Sequence, residues 1–269
     1  MATIGFVGSG NMAEALIKGI TNAGLYEPEN VLVSDIRSER LEYLAHEYHV
    51  QPISENAALA EKVDILVLSV KPQNMTEALE SIKDSVKKET LVISIAAGIK
   101  TTNISAVLGD IAIVRVMPNT PALIGEGASA LFANEKAKPM LEKAKSIFAA
   151  VGKAVVVANE DLIDAVTAVS GSGPAYYFLL MEEMIKAGVK LGLPADVTKD
   201  LVLQTAKGAS LLATEADKKA ETPEVLRQKV TSPRGTTEAA LKILSEGQFS
   251  LLVERALTRA FERSQELSG

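Results

Sequence analysis

The sequence predicts an α/β fold, with an open, mostly parallel sheet over residues 1–160 and an all-helical domain over residues 161–269. Three observations carry it. Up to about residue 158, short apolar runs alternate with amphipathic stretches, and several runs are unbroken Val/Ile/Leu, as in parallel strands covered on both faces. A glycine-bearing turn joins the first run to the first amphipathic stretch. After Asn159 the strand patterns stop and helical periodicity takes over.

Taken in order, strands are expected at 3–7, 31–34, 65–70, 91–96, 112–117, 128–132 and 154–158, with helices filling most of the gaps. Helical periodicity then covers 161–191, 195–214, 223–230, 236–246 and 248–267. In the last stretch Phe249, Leu252, Val253, Ala256, Ala260 and Phe261 share one face. Apolar faces this long in a domain of modest size predict association with a second copy, hence a homodimer.

The bulk numbers exclude several classes. The 269 residues carry a net charge of -6 and no run of Lys or Arg, which argues against a nucleic-acid partner. The absence of cysteine rules out disulfides, thiol catalysis and cysteine-ligated metal. The longest fully apolar run, Ala175 to Met181, is too short to span a bilayer, and the first strand begins at residue 3, leaving no room for a leader before it. A cytoplasmic protein with no membrane partner is expected. His46 and His49, three apart on one expected helix, lack a third ligand and read as a solvated pair rather than a metal site.

The first junction has the chemistry of a dinucleotide site. Gly8-Ser9-Gly10-Asn11-Met12-Ala13 follows a strand, opens a helix and precedes a second strand ending in Asp35. Gly8 allows the tight turn, Gly10 lets a pyrophosphate approach the backbone, and Ala13 lets the helix pack on the strand. Free N–H groups at the helix start favour the phosphates. The sheet domain is therefore of Rossmann type. Asp35 suits the adenosine ribose of NADH and Arg37 the 2′-phosphate of NADPH, so either cofactor is expected.

Ligands of such sheets sit beyond the carboxyl ends of the strands. Three unusual clusters fall there: Lys71-Pro72-Gln73, Ala96-Ala97-Gly98 and Met117-Pro118-Asn119-Thr120-Pro121. In the second half, Thr231-Ser232-Pro233-Arg234-Gly235-Thr236-Thr237-Glu238 runs into a helix. It carries more hydroxyls than one cap needs, and its N–H groups suit a carboxylate. Ser170-Gly171-Ser172-Gly173-Pro174 has no histidine beyond residue 49 to activate a serine, so it reads as close helix packing.

These motifs together resemble the pyrroline-5-carboxylate reductase family over the whole chain. They include Gly5–Ala13, Ser69–Pro72, Ile95–Gly98, Arg115–Pro121, Ser170–Tyr176, and Thr231–Thr237 with Pro223, Leu226, Val230, Ala240 and Leu241 around it. The resemblance implies reduction of 1-pyrroline-5-carboxylate to proline by NADPH or NADH, a helical dimerisation domain, and active sites formed across the dimer. It puts cofactor contacts on Gly8, Ser9, Gly10, Asn11, Met12, Asn56, Ser69, Val70, Lys71, Pro72, Ala96 and Ala97. Substrate contacts fall on Ser232, Gly235, Thr236 and Thr237, with Thr237 hydrogen-bonding the ring nitrogen and passing it a proton. Arg234 departs from the small residue common in the family and is expected to face solvent. A hydroxyacid dehydrogenase is disfavoured, since residues 165–177 hold no lysine. A reductase of a related cyclic ketimine is the alternative reading.

Overall fold

A computed structural model of the chain describes residues 2–268. Its strands are β1 (Ile4–Val7), β2 (Val31–Ser34), β3 (Gln51–Pro52), β4 (Ile65–Leu68), β5 (Leu91–Ser94), β6 (Ala112–Met117), β7 (Gly127–Ala133) and β8 (Gly152–Val156). They form one sheet in the order β3-β2-β1-β4-β5-β6-β7-β8. All neighbours are parallel except β6 and β7. Strand order reverses between β1 and β4, which leaves a crevice at their carboxyl ends.

Alternation along each strand divides the core between the two faces of the sheet. Ile4, Phe6, Val31, Val33, Ile65, Val67 and Ile93 pack with Leu16, Ile17 and Ile20 of α1 (Asn11–Asn22), Leu44 of α2 (Ser38–Tyr48), and Phe148 of the helix Leu141–Ala149. Leu32, Leu66, Leu68 and Val92 pack on the other side with Leu59 of α3 (Asn56–Ala60), Leu79 of α4 (Met75–Ile82) and Ile104 of α5 (Thr101–Leu108). Each such side chain contributes about 1.5–3 kcal/mol through burial, so the strand ends are anchored by a rigid platform. The sixth helix, α6, spans Leu141–Ala149.

The chain divides into two compact units. One extends to Pro174 and is completed by the stretch from Arg259 onward; the other is Ala175–Thr258. The expected helical run from 161 to 191 is α7 (Leu162–Val166), a π-turn at Thr167–Gly171, and α8 (Gly173–Lys190). After it come α9 (Ala195–Asp217), α10 (Pro223–Lys229), α11 (Thr236–Glu246) and α12 (Phe249–Ser268). In the second unit Tyr177, Phe178, Leu179, Leu201, Leu212 and Leu252 are each more than half exposed, and neither α10 nor α11 buries a residue. So large an apolar surface calls for a partner.

Details differ from the sequence-based expectation. β8 begins two residues early because Gly152, at φ 144°, carries the chain into the strand. His49 is not on the helix face of His46. It terminates α2 in the left-handed region, at φ 57°, and both imidazoles are exposed.

Candidate active site

The turn after β1 is held on every side. Gly8 adopts φ +83°, and a Cβ there would lie 2.7 Å from Val70 Cγ1 and 3.0 Å from Val70 N. Gly8→Ala is therefore expected to lower stability by about 2 kcal/mol or more, through left-handed strain and displacement of Val70. Thermal unfolding checks this, and an unchanged Tm would contradict it. Ser9 donates its N–H to Asp35 Oδ2 at 2.9 Å and its hydroxyl to the Ser34 carbonyl at 2.9 Å. Ser69 Oγ donates to the Gly8 carbonyl at 2.6 Å, tying the end of β4 to the turn.

Gly10 is the exception. It is the N-cap of α1, no side chain caps that helix, and a Cβ on Gly10 would meet nothing within 4 Å. Folding alone does not require glycine here. The first-turn N–H groups, Asn11 and Met12 among them, have no partner within the helix by its geometry. Ala13 behind them is fully buried. An open cradle at an uncapped helix start fits a phosphate, and the residues present fit a dinucleotide.

Asp35 follows β2 and makes a two-pronged pair with Arg37, Nε to Oδ1 at 2.9 Å and Nη2 to Oδ2 at 3.0 Å. Burial of the Asp35 carboxyl favours its neutral form. The Arg37 side chain, with the Ser9 and Arg37 N–H groups, outweighs that and holds it below the ordinary carboxylate range. The lowered value means this pair stabilises the fold fully above that range, and its contribution is lost as the pH falls through and below it. Next to them Asn56 accepts from Ser34 Oγ at 2.7 Å and donates to Ser81 Oγ at 3.0 Å. Lys71 and Pro72 are exposed beyond β4, and Ala96 is buried beside the half-buried Ala97 beyond β5.

A buried charge cluster braces these strand ends; Arg115 opens one of the motifs above, but no motif holds its partner carboxylates. Arg115 of β6 is 1% exposed and lies 3.4 Å from Glu160 and 3.6 Å from Asp164. Glu160 accepts from the N–H and hydroxyl of Thr101, both at 2.7 Å, and so fixes the start of α5 just after Ala96-Ala97-Gly98. Asp164 accepts from Ser264 Oγ at 2.7 Å. In sequence Arg115 shows as the start of the Arg115–Pro121 motif and as a charge inside the apolar run Ala112–Met117, with nothing to mark Glu160 or Asp164 as its partners. Asn119 accepts from the Ala128 N–H at 2.8 Å and donates to the Ser170 carbonyl at 3.3 Å. A Cβ on Gly171 would lie 2.5 Å from Met117 Cε, so the small residues there serve close approach.

In the second unit, Thr231 Oγ1 donates to the Arg227 carbonyl at 2.6 Å and the Gly235 N–H to Ser232 O at 3.0 Å. Gly235 is the N-cap of α11, which no side chain caps. Glu238 accepts from the Arg234 N–H at 2.7 Å rather than from the first helical turn. The N–H groups of Thr236 and Thr237 are thus left at an open helix start, as at Gly10. Ser232 and Thr236 are exposed and Thr237 is half-buried. Arg234 is exposed at φ 59°, which explains why a small residue suits the position. Arg234→Gly is expected to raise stability by about 0.5–1 kcal/mol, with the substrate KM unchanged. A large rise in KM would show that the arginine holds the substrate.

Among the described residues no group of three or more His, Asp or Glu is placed to hold a metal ion, and no helix is long and apolar enough to cross a membrane.

Residues 160–267 match the family described as pyrroline-5-carboxylate reductase dimerisation, and residues 3–98 match NADP oxidoreductase coenzyme F420-dependent. The chain is 45% identical to a pyrroline-5-carboxylate reductase of Pseudomonas aeruginosa, over 98% of this chain and 96% of that one. Identity to the Arabidopsis thaliana pyrroline-5-carboxylate reductase is 36%, over 98% and 95%. Among solved structures, a pyrroline-5-carboxylate reductase from Coxiella burnetii superimposes with a TM-score of 0.93 at 40% identity, covering 100% of this chain and 99% of that one. The Plasmodium falciparum pyrroline carboxylate reductase, solved with NADP bound, gives 0.88 at 32% identity, covering 100% and 98%.

Proposed function

Since the chain belongs to the pyrroline-5-carboxylate reductase family, we infer that it reduces 1-pyrroline-5-carboxylate to L-proline in proline biosynthesis, using NADPH or NADH. The observation that carries this is similarity along essentially the whole chain, 98% of it at 45% identity, with both uncapped helix starts present. The working form is a homodimer built through the helical region, in keeping with the match of residues 160–267 to a dimerisation family. We assign dinucleotide binding to residues 1–160, substrate binding and dimerisation to residues 161–269, and the cytoplasm as the compartment.

When bound, the reduced nicotinamide supplies the hydride. The N–H groups of Gly10, Asn11 and Met12 receive the pyrophosphate, with Gly8 and Ser9 shaping the turn. Asp35 accepts from the adenosine ribose and Arg37 meets a 2′-phosphate when there is one. Asn56, Ser69, Val70, Lys71, Pro72, Ala96 and Ala97 line the remainder of the cofactor site. At the other turn, the Gly235, Thr236 and Thr237 backbone and Ser232 hold the substrate carboxylate. The Thr237 hydroxyl meets the ring nitrogen. A threonine hydroxyl is a weak acid, so it either donates to the neutral imine and relays a proton supplied by water, or accepts from the N–H of an imine that is already protonated. A protonated imine is electrophilic at carbon, so holding it in place accounts for much of the rate gain.

Because Asp35 and Arg37 are joined in one pair, both cofactors are expected to serve. Michaelis constants for NADH and NADPH with 1-pyrroline-5-carboxylate test this. Oxidation of both supports the reading, and strict exclusion of either contradicts it.

A further inference from the structure

Arg40, on α2, belongs to none of the motifs above. Its Nε donates to the Ser9 carbonyl at 2.6 Å, and its Nη2 reaches the Gly10 carbonyl at 3.3 Å and Glu14 Oε2 at 2.5 Å. The side chain is only 16% exposed. Glu14, in the first turn of α1, also accepts from Tyr48 at 2.9 Å and Tyr43 at 3.1 Å. Burial favours a neutral Glu14, but the hydrogen bonds from Arg40, Tyr48 and Tyr43 outweigh it and hold its carboxyl below the ordinary range. The guanidinium is therefore fixed at its far side by a carboxylate that is itself fixed.

A trans peptide group is planar, with its C=O and N–H pointing in opposite directions. Drawing the Ser9 carbonyl toward Arg40 turns the Gly10 N–H away from it. The Gly10 carbonyl also takes the Glu14 N–H at 3.0 Å as the first acceptor of α1, so the helix itself sets the Asn11 N–H and Arg40 reinforces it. These are the two amides that open α1. We propose that Arg40 is a positioning residue for the dinucleotide pyrophosphate: it sets the direction of the Gly10 N–H, and reinforces that of the Asn11 N–H, before the cofactor arrives. Glu14 balances its charge, so Arg40 acts by orienting donors more than by attracting the anion. The effect is preorganisation, which raises affinity without a new contact. The proposal rests on the reading of the Gly8–Met12 turn as the cofactor site.

Calorimetric titration of the full-length protein with NADPH and with ADP-ribose tests it. Arg40→Met is expected to raise both dissociation constants about tenfold or more. The Tm of Arg40→Met falls with the loss of the Glu14 ion pair, but in the folded variant the imino-acid KM at saturating NADPH should stay at its native value, a split that general destabilisation would not give. Arg40→Lys keeps the charge but lacks the planar fork, so its dissociation constants should remain raised several-fold. If Arg40→Met does not fold, Arg40→Lys decides. Gly10→Val, measured alongside, tests the underlying reading. Native affinity in a folded Arg40 variant, with Gly10→Val impaired, overturns the role of Arg40 alone. Native affinity in Gly10→Val overturns the cofactor reading of the turn, and the proposal with it.

Discussion

Gly10→Val is expected to weaken NADPH binding by about a hundredfold or more, the loss of roughly two charge-assisted hydrogen bonds to phosphate. The Tm should stay at its native value. The separation follows from the conformation. Gly10 lies at φ -71°, ψ -172°, an ordinary extended geometry, and a Cβ there touches nothing within 4 Å. The folded chain has no use for glycine at this position, in contrast to Gly8, whose φ of +83° and contact with Val70 demand it. What the valine methyl groups would occupy is the space in front of the uncapped start of α1. Titration with NADPH, alongside thermal unfolding, reads both quantities. Native affinity would remove the phosphate from this turn, and a large drop in Tm would show that the glycine is structural.

Thr237→Ala is expected to lower kcat by about a hundredfold, toward the low end of what positioned proton transfer contributes. The NADPH dissociation constant should not move. Thr237 is the second residue of α11, where alanine is at least as compatible with the helix, so folding is not at risk. Thr237→Ser keeps the hydroxyl and should recover most of the rate. Steady-state kinetics with 1-pyrroline-5-carboxylate at saturating NADPH makes the measurement. Unchanged turnover in Thr237→Ala with intact cofactor binding would end the proposed role of the hydroxyl.

The central strands were legible because β1, β4 and β5 are unbroken apolar runs that pack on both sides of the sheet. The direction of β7 was not, since an apolar run carries no sign of whether its neighbour is parallel. β3 went unseen because it is two exposed residues, Gln51 and Pro52, that pair only at the sheet edge. At the site, the glycines and Asp35 could be read because they have local tasks beside a strand end. The tasks of Arg40 and Arg115 could not, although Arg115 opens a motif. Arg40 reads as one more charge on an amphipathic helix, and its carbonyl partners on Ser9 and Gly10 leave no mark in sequence. Arg115 depends on Glu160 and Asp164, which only the folded chain brings to it. Arg37 was legible as a charge near Asp35, but its two-pronged grip on that carboxylate was not.

On this reading the chain transfers a hydride from a dinucleotide held at the Gly8–Met12 turn to a five-membered cyclic imino acid. The decisive measurement follows NADPH oxidation by the purified protein with 1-pyrroline-5-carboxylate and with its six-membered analogue. Rapid oxidation is expected with the five-membered ring, with proline formed in equal amount and a lower kcat/KM for the six-membered one. No oxidation with the five-membered substrate, or a clear preference for the larger ring, would contradict the reading.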